Sequence, residues 1–87
     1  MAYHVLFQPS AARRLRKLTK GVRERLVAKA ESLASDPRPH GCEKLAVMDD
    51  TYRVRVGDYR IVYQVQDARL LVLVIRVGDR KEVYRRL

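Results

Sequence analysis

Apolar and polar residues change rhythm along the chain. Residues 3–8 alternate, with Tyr3, Val5 and Phe7 against His4, Leu6 and Gln8, the two-residue period of a strand, and Pro9 ends the run because it has no N–H to give a sheet. Ser10 follows as an expected helix N-cap, its hydroxyl able to accept an unpaired amide of the first turn. From there Ala11, Leu15, Leu18, Val22, Leu26, Ala30 and Leu33 recur at steps of three or four, which puts them on one helical stripe. Gly21 interrupts the stripe, so the pattern predicts two helices in an αα-hairpin, over residues 10–18 and 20–35. Asp36-Pro37 closes the second helix, since proline disfavours helical backbone in the residue before it.

The remainder reads as β structure. Residues 38–50 carry Pro39, Gly41, Asp49 and Asp50 around a short apolar stretch at 45–48, a loop with room for one short strand. Tyr52, Val54 and Val56 then alternate with Arg53 and Arg55, Gly57-Asp58 signals a hairpin, and Tyr59, Ile61, Tyr63 and Val65 resume against Arg60, Val62 and Gln64. After a turn near Asp67, residues 70–77 are apolar at nearly every position, which predicts a strand covered on both faces. The tail after Gly78 is charged again. The expected fold is α+β: an N-terminal strand, an αα-hairpin and a three-stranded antiparallel meander, forming one sheet with the helices packed on one face.

Composition narrows the partners. At 87 residues the chain is expected to be one domain over residues 1–87, and a 47% hydrophobic content is enough for a core and argues against disorder. Nineteen Lys and Arg against ten Asp and Glu give a formal charge of +9, so the candidate partners are nucleic acid, an anionic membrane or an acidic protein. Cys42 is the one cysteine, which excludes an intramolecular disulfide and suits a reducing compartment. The longest apolar run, residues 70–75, falls far short of the ~18 to 20 residues of a bilayer span. No basic stretch followed by an apolar one opens the chain, so no signal peptide is read and the cytoplasm is the expected location. His40, Cys42 and His4 are too few and too scattered for a zinc site, and neither metal nor cofactor is expected.

The charges have a pattern of their own. A two-residue loop at Gly57-Asp58 sets Val56 opposite Tyr59 and therefore Arg55 opposite Arg60, with Arg53 on the same face. Like charges facing each other across a sheet are unfavourable by up to about 1 kcal/mol, so an anion is expected to relieve them. Phosphate suits the role, because a planar guanidinium can bond two of its oxygens at once. Arg80 and Tyr84, four residues apart in the tail, share a side in either a helical or an extended segment. Arginines beside a phenol make a workable centre for phosphodiester cleavage: the cations stabilise the pentavalent dianion and the phenol moves a proton. Plainer readings stand beside these. Arg53 and Arg55 on a solvated sheet face and Tyr84 as a packing aromatic account for the same residues. A solvated helix exterior accounts equally for the basic residues of the helical hairpin.

Thr51-Tyr-Arg-Val-Arg-Val-Gly-Asp-Tyr-Arg-Ile-Val-Tyr-Gln64 followed by Val77-Gly-Asp-Arg-Lys-Glu-Val-Tyr84 resembles the RelE branch of the RelE/ParE toxins of toxin-antitoxin pairs. The opening strand, the basic hairpin and Asp36-Pro-Arg-Pro-His40 fit the same family. The resemblance implies a ribosome-dependent mRNA interferase, a metal-free endoribonuclease in which the 2′-hydroxyl attacks the adjacent phosphate and leaves a 2′,3′-cyclic phosphate. It assigns Arg53, Arg55, Arg60, Arg80 and Tyr84 to the catalytic set. Arg13, Arg14, Arg16, Lys17, Lys20, Arg23 and Lys81 fall to contact with mRNA in the ribosomal A site and with rRNA. A cognate antitoxin is the implied protein partner, operator DNA is reached only through that antitoxin, and no membrane is involved. The chain departs from the family in carrying arginines where lysines are usual at Arg53 and Arg55. Arginine is a poor general base, which moves that role to Tyr84. Asp79 replaces a basic residue, and the spacing from Arg80 to Tyr84 is short. The alternatives are a ParE-like inhibitor of DNA gyrase, a class that lacks this arginine and tyrosine set, and a decayed toxin kept as an antitoxin-binding or regulatory partner.

Overall fold

The structure, a computed structural model, describes residues 2–46, 48–79, 81 and 83. In chain order its elements are β1 (His4–Phe7), α1 (Pro9–Arg16), α2 (Lys20–Ser32), β2 (Glu43–Lys44), β3 (Thr51–Val56), β4 (Tyr59–Gln66), a single 3₁₀ turn (Asp67–Arg69) and β5 (Leu71–Asp79). The five strands form one sheet in the order β1-β5-β4-β3-β2, antiparallel except that β1 lies parallel to β5. Both helices pack on one face of it, the α+β arrangement that the sequence predicts.

The helical stripe is the core. Ala11, Leu15, Leu26, Ala30 and Leu33 are buried, and Leu18 and Val22 pack against them. The sheet answers with Val54, Ile61, Tyr63, Val65, Val72, Val74 and Val77. Several local expectations are corrected. Ser10 is not the N-cap: α1 begins at Pro9 with Gln8 in the capping position and no side-chain cap, because proline's missing N–H is no loss where the helix has no acceptor for it. The break between the helices falls at residue 19, between the expected bounds, although Gly21 itself does not make it. The chain turns at Thr19, which is extended (φ −62°, ψ 155°), and Gly21 lies in the first turn of α2. That helix stops at Ser32 rather than at residue 35. The one short strand expected in the 38–50 loop is present, at the polar pair Glu43–Lys44.

The strand β5 differs most from expectation. Val72 and Val74 are fully buried toward the helices, whereas Leu71, Leu73 and Ile75 are only half-buried, so the strand is covered on one face and not on both. Its apolar run is continuous because Leu71, Leu73 and Ile75, on the other face, are apolar too, and a bulge breaks the alternation only at the end of the run. Tyr63 pairs with Val74 and Val62 pairs with Arg76, so Ile75 is the extra residue. The face turned away from α1 and α2, which carries no helix among the described residues, is called the open face below. Among the described residues no helix is long and apolar enough to cross a membrane.

One side-chain network ties distant segments together. Arg38 donates to both carboxylate oxygens of Asp67 (3.1 and 2.7 Å) and, through Nε, to the Tyr52 hydroxyl at 2.9 Å. The Tyr3 hydroxyl donates to the same carboxylate at 2.6 Å. The Arg38 guanidinium and the Tyr3 hydroxyl lower the Asp67 pKa to about 2. Tyr52 stacks on Tyr63, whose hydroxyl donates to the Pro37 carbonyl at 2.8 Å, and burial pushes the Tyr63 phenol up.

Candidate functional site

The β3–β4 hairpin turns on Gly57, whose φ of +60° is a conformation glycine reaches at little cost. The tight turn fixes the register. Val56 pairs with Tyr59, Arg55 with Arg60 and Arg53 with Val62, as expected from the sequence. Because side chains alternate along a strand, Tyr52, Val54 and Val56 turn to the helices, and Arg53 and Arg55 turn to the open face with Arg60.

Each of the three arginines is held differently. Arg60 is 8% exposed, its Nη1 donates to the carbonyls of Tyr59 (3.2 Å) and Gly57 (3.5 Å), and its buried Nε has no hydrogen-bond partner among the described residues. A guanidinium buried in this way is fixed in place, and its charge is kept close to that of Arg55. Arg53 meets Glu43 of the edge strand β2, directly opposite it in register, with Nη2 to Oε2 at 2.6 Å. Part of the like-charge stress is thus relieved by the protein's own carboxylate. Arg55, the exposed member, directly faces Arg60 across the ladder.

Sequence reasoning missed three neighbours. Arg76 reaches the open face through the bulge and stands in one row with Arg53, both flanking Val62. Simple alternation from Val74 would have sent it to the core. Arg25 of α2 lies against Gly57, its Nη2 3.0 Å from where a Cβ would stand, and so supports the hairpin from the helix side. Glu43, an acid ten residues before Arg53, carries no signal without the register of β2.

Arg80 and Tyr84 lie outside the described residues. Asp79 closes β5 opposite Tyr59, and its side chain accepts the Lys81 backbone N–H at 3.0 Å, while its carbonyl accepts the Val83 N–H at 3.1 Å, which holds Lys81 and Val83 close to the end of the strand. Lys81 is exposed there. Arg13, Arg14, Arg16, Lys17, Lys20 and Arg23 belong to the helical layer, the opposite side of the sheet from Arg53, Arg55 and Arg60. The structure therefore does not bring the helical cations and the strand arginines to one face. His40 is exposed on its loop and Cys42 packs half-buried against the core.

An α+β domain with an arginine-bearing open face defines a class. Residues 5–84 match the family described as ParE toxin of type II toxin-antitoxin systems, and the chain belongs to that family as a RelE-like toxin. It is 41% identical over 88 residues to the mRNA interferase toxin RelE of Escherichia coli (strain K12), a match covering 97% of this chain and 92% of the relative. The isolated E. coli RelE toxin superposes with a TM-score of 0.79 at 40% identity, over 95% of this chain and 92% of that one. The archaeal RelE–RelB complex from Pyrococcus horikoshii gives a TM-score of 0.82 at 26% identity, over 94% and 99%.

Proposed function

We propose that this toxin is a ribosome-dependent mRNA interferase, and the observation that carries the reading is Arg55 directly opposite Arg60 on the face of the sheet turned away from α1 and α2, with Arg53 beside them. The 41% identity to a toxin named as an mRNA interferase supports the same reading. The scissile phosphate sits between Arg55 and Arg60, which neutralise the charge that builds as a fifth oxygen bonds to phosphorus. The RNA 2′-oxygen forms that bond, the bond to the 5′-oxygen breaks, and a 2′,3′-cyclic phosphate remains on one product. Arginine stays charged throughout, so Tyr84 is the proton carrier: as phenolate beside the cations it takes the proton of the 2′-hydroxyl, and as phenol it gives that proton to the departing 5′-oxygen, while Arg80 adds a cation from the tail. Helical Arg13, Arg14, Arg16, Lys17, Lys20 and Arg23, with Lys81, bind RNA backbone away from the cut.

The partner is an antitoxin, a reading supported by the relatives solved in complex with RelB; its acidic, amphipathic segment covers the cationic face, and operator DNA is met only through it. The setting is the cytoplasm and the chain acts as one domain.

Single-turnover cleavage of mRNA on programmed ribosomes tests the reading. Arg60→Ala is expected to slow it by about two to three orders of magnitude, the usual cost of one preorganised charge stabiliser. Cleavage should persist in EDTA once the ribosomes are kept intact with controlled magnesium, and a 2′-deoxy nucleotide at the cut should block it. The match to a family named for ParE favours a second reading, inhibition of DNA gyrase. Continued protein synthesis with accumulating gyrase cleavage complexes after induction would select it.

A further inference from the structure

The open face carries a groove of about 340 Å³ that the three strand arginines do not line. Leu73 and Ile75 of β5 form its floor on the sheet, and Gln8, Met48, Gln64 and Arg76 stand around them. Its position is set by the bulge at Ile75. By sending Val77 into the core opposite Ile61, the bulge turns Arg76 outward into the row that holds Arg53. Bulges often re-aim a side chain in this way next to functional sites. Arg76 lies one strand over and two residues along from Arg60, so their Cα atoms are ~8 Å apart by strand spacing and rise. That separation is close to the distance between successive phosphates of a single strand.

The rest of the groove has the chemistry of a base site. Its floor of Leu73 and Ile75 is apolar, and Met48 beside it is 38% exposed. Unstacked bases pack on such surfaces and are told apart by polar groups at their edges. Gln64 is one such group. Its Oε1 already accepts from the Gln66 amide at 2.7 Å, so what it offers the groove is its N–H donors, the complement of a carbonyl. The surrounding excess of cations, Arg53, Arg55, Arg60 and Arg76, makes a nucleotide the fitting occupant.

We propose that this groove is a nucleotide subsite: the base rests on Leu73 and Ile75, Gln64 donates to its carbonyl, and Arg76 holds the phosphate next to the scissile one. The proposal rests on the ribonuclease reading above. It assigns part of the toxin's codon preference to one side chain, favouring guanine, which has a carbonyl at its edge, over adenine, which has none.

The test is single-turnover cleavage on ribosomes programmed with A-site codons that differ only by guanine or adenine at each position. Wild type should prefer guanine at one position. Gln64→Leu, close in size but without donors, should shrink that preference about tenfold while cleavage continues. Arg76→Gln should raise the half-saturating toxin concentration about tenfold for all codons, and Arg76→Lys, which keeps the charge, should recover part of it. Thermal melts of each variant, with the lysine form as the conservative control, separate these effects from misfolding. The subsite is overturned if wild type cuts while every variant keeps its codon profile and half-saturation. It is equally overturned if the variants cut normally but lose their grip on the antitoxin, which would make the groove a protein-docking surface. A wild-type protein that cuts no codon sinks the ribonuclease reading and the subsite with it.

Discussion

Arg60 is nearly buried on the face turned away from α1 and α2, and its hold on the Tyr59 and Gly57 carbonyls orients the guanidinium before any anion arrives. The tether depends on the shape of the turn. Gly57 combines a φ of +60° with the Arg25 guanidinium pressed against it, so Gly57→Ala meets both a backbone penalty and a crowded side chain. It is expected to destabilise the protein by about 1 to 2 kcal/mol, the usual cost of left-handed backbone in a non-glycine residue, as read from urea unfolding. Adding Arg25→Ala should recover only the crowding part, because the backbone cost remains. If the double variant regains full stability, the φ at Gly57 carries no strain. At this scale the sequence is informative. A two-residue turn with alternating flanks admits one register, so the meeting of Arg55 and Arg60 can be read from the order of residues.

Gly21 presents the same substitution with the opposite sign. It sits in the first turn of α2 with open space where a Cβ would stand, nothing lying within 4 Å, so Gly21→Ala should stabilise the protein by about 0.5 to 1 kcal/mol, seen as a later urea midpoint at unchanged slope. The elements themselves are largely legible, because the stripe from Ala11 to Leu33 and the alternation around the hairpin carry their own periods. Three features escape. The parallel pairing of β1 with β5 joins residues nearly seventy apart, and no local period encodes it. The bulge breaks the alternation that would have located Arg76. The apolar run at residues 70–77 reads as double cover, whereas its Leu73 and Ile75 line an open groove. Arg80 and Tyr84 stay as the sequence leaves them, expected members of the site.

At the scale of the whole molecule, the Arg38–Asp67 pair with Tyr3 and Tyr52 fastens the chain's opening, the loop after α2, β3 and the turn before β5 to one another. Its pH dependence follows from Asp67. A carboxyl whose folded pKa is lowered to about 2 contributes stability that is complete above its ordinary value near 4 and is lost as the pH falls through about 2. Asp67→Asn should therefore melt below wild type at pH 7, and the gap between them should close as the pH approaches 2. A gap that persists at pH 2 would mean the pair is not what Asp67 contributes. The strand order has a consequence for how the toxin is made. A ribosome delivers β1 and both helices first and β5 last of the strands, yet β5 is the neighbour of both β1 and β4. Any chain whose synthesis halts before residue 71 leaves Ile61, Tyr63 and Val65 without the strand that completes their sheet. Its hairpin arginines then have no folded platform, and interrupted translation yields an inert fragment rather than a weak poison.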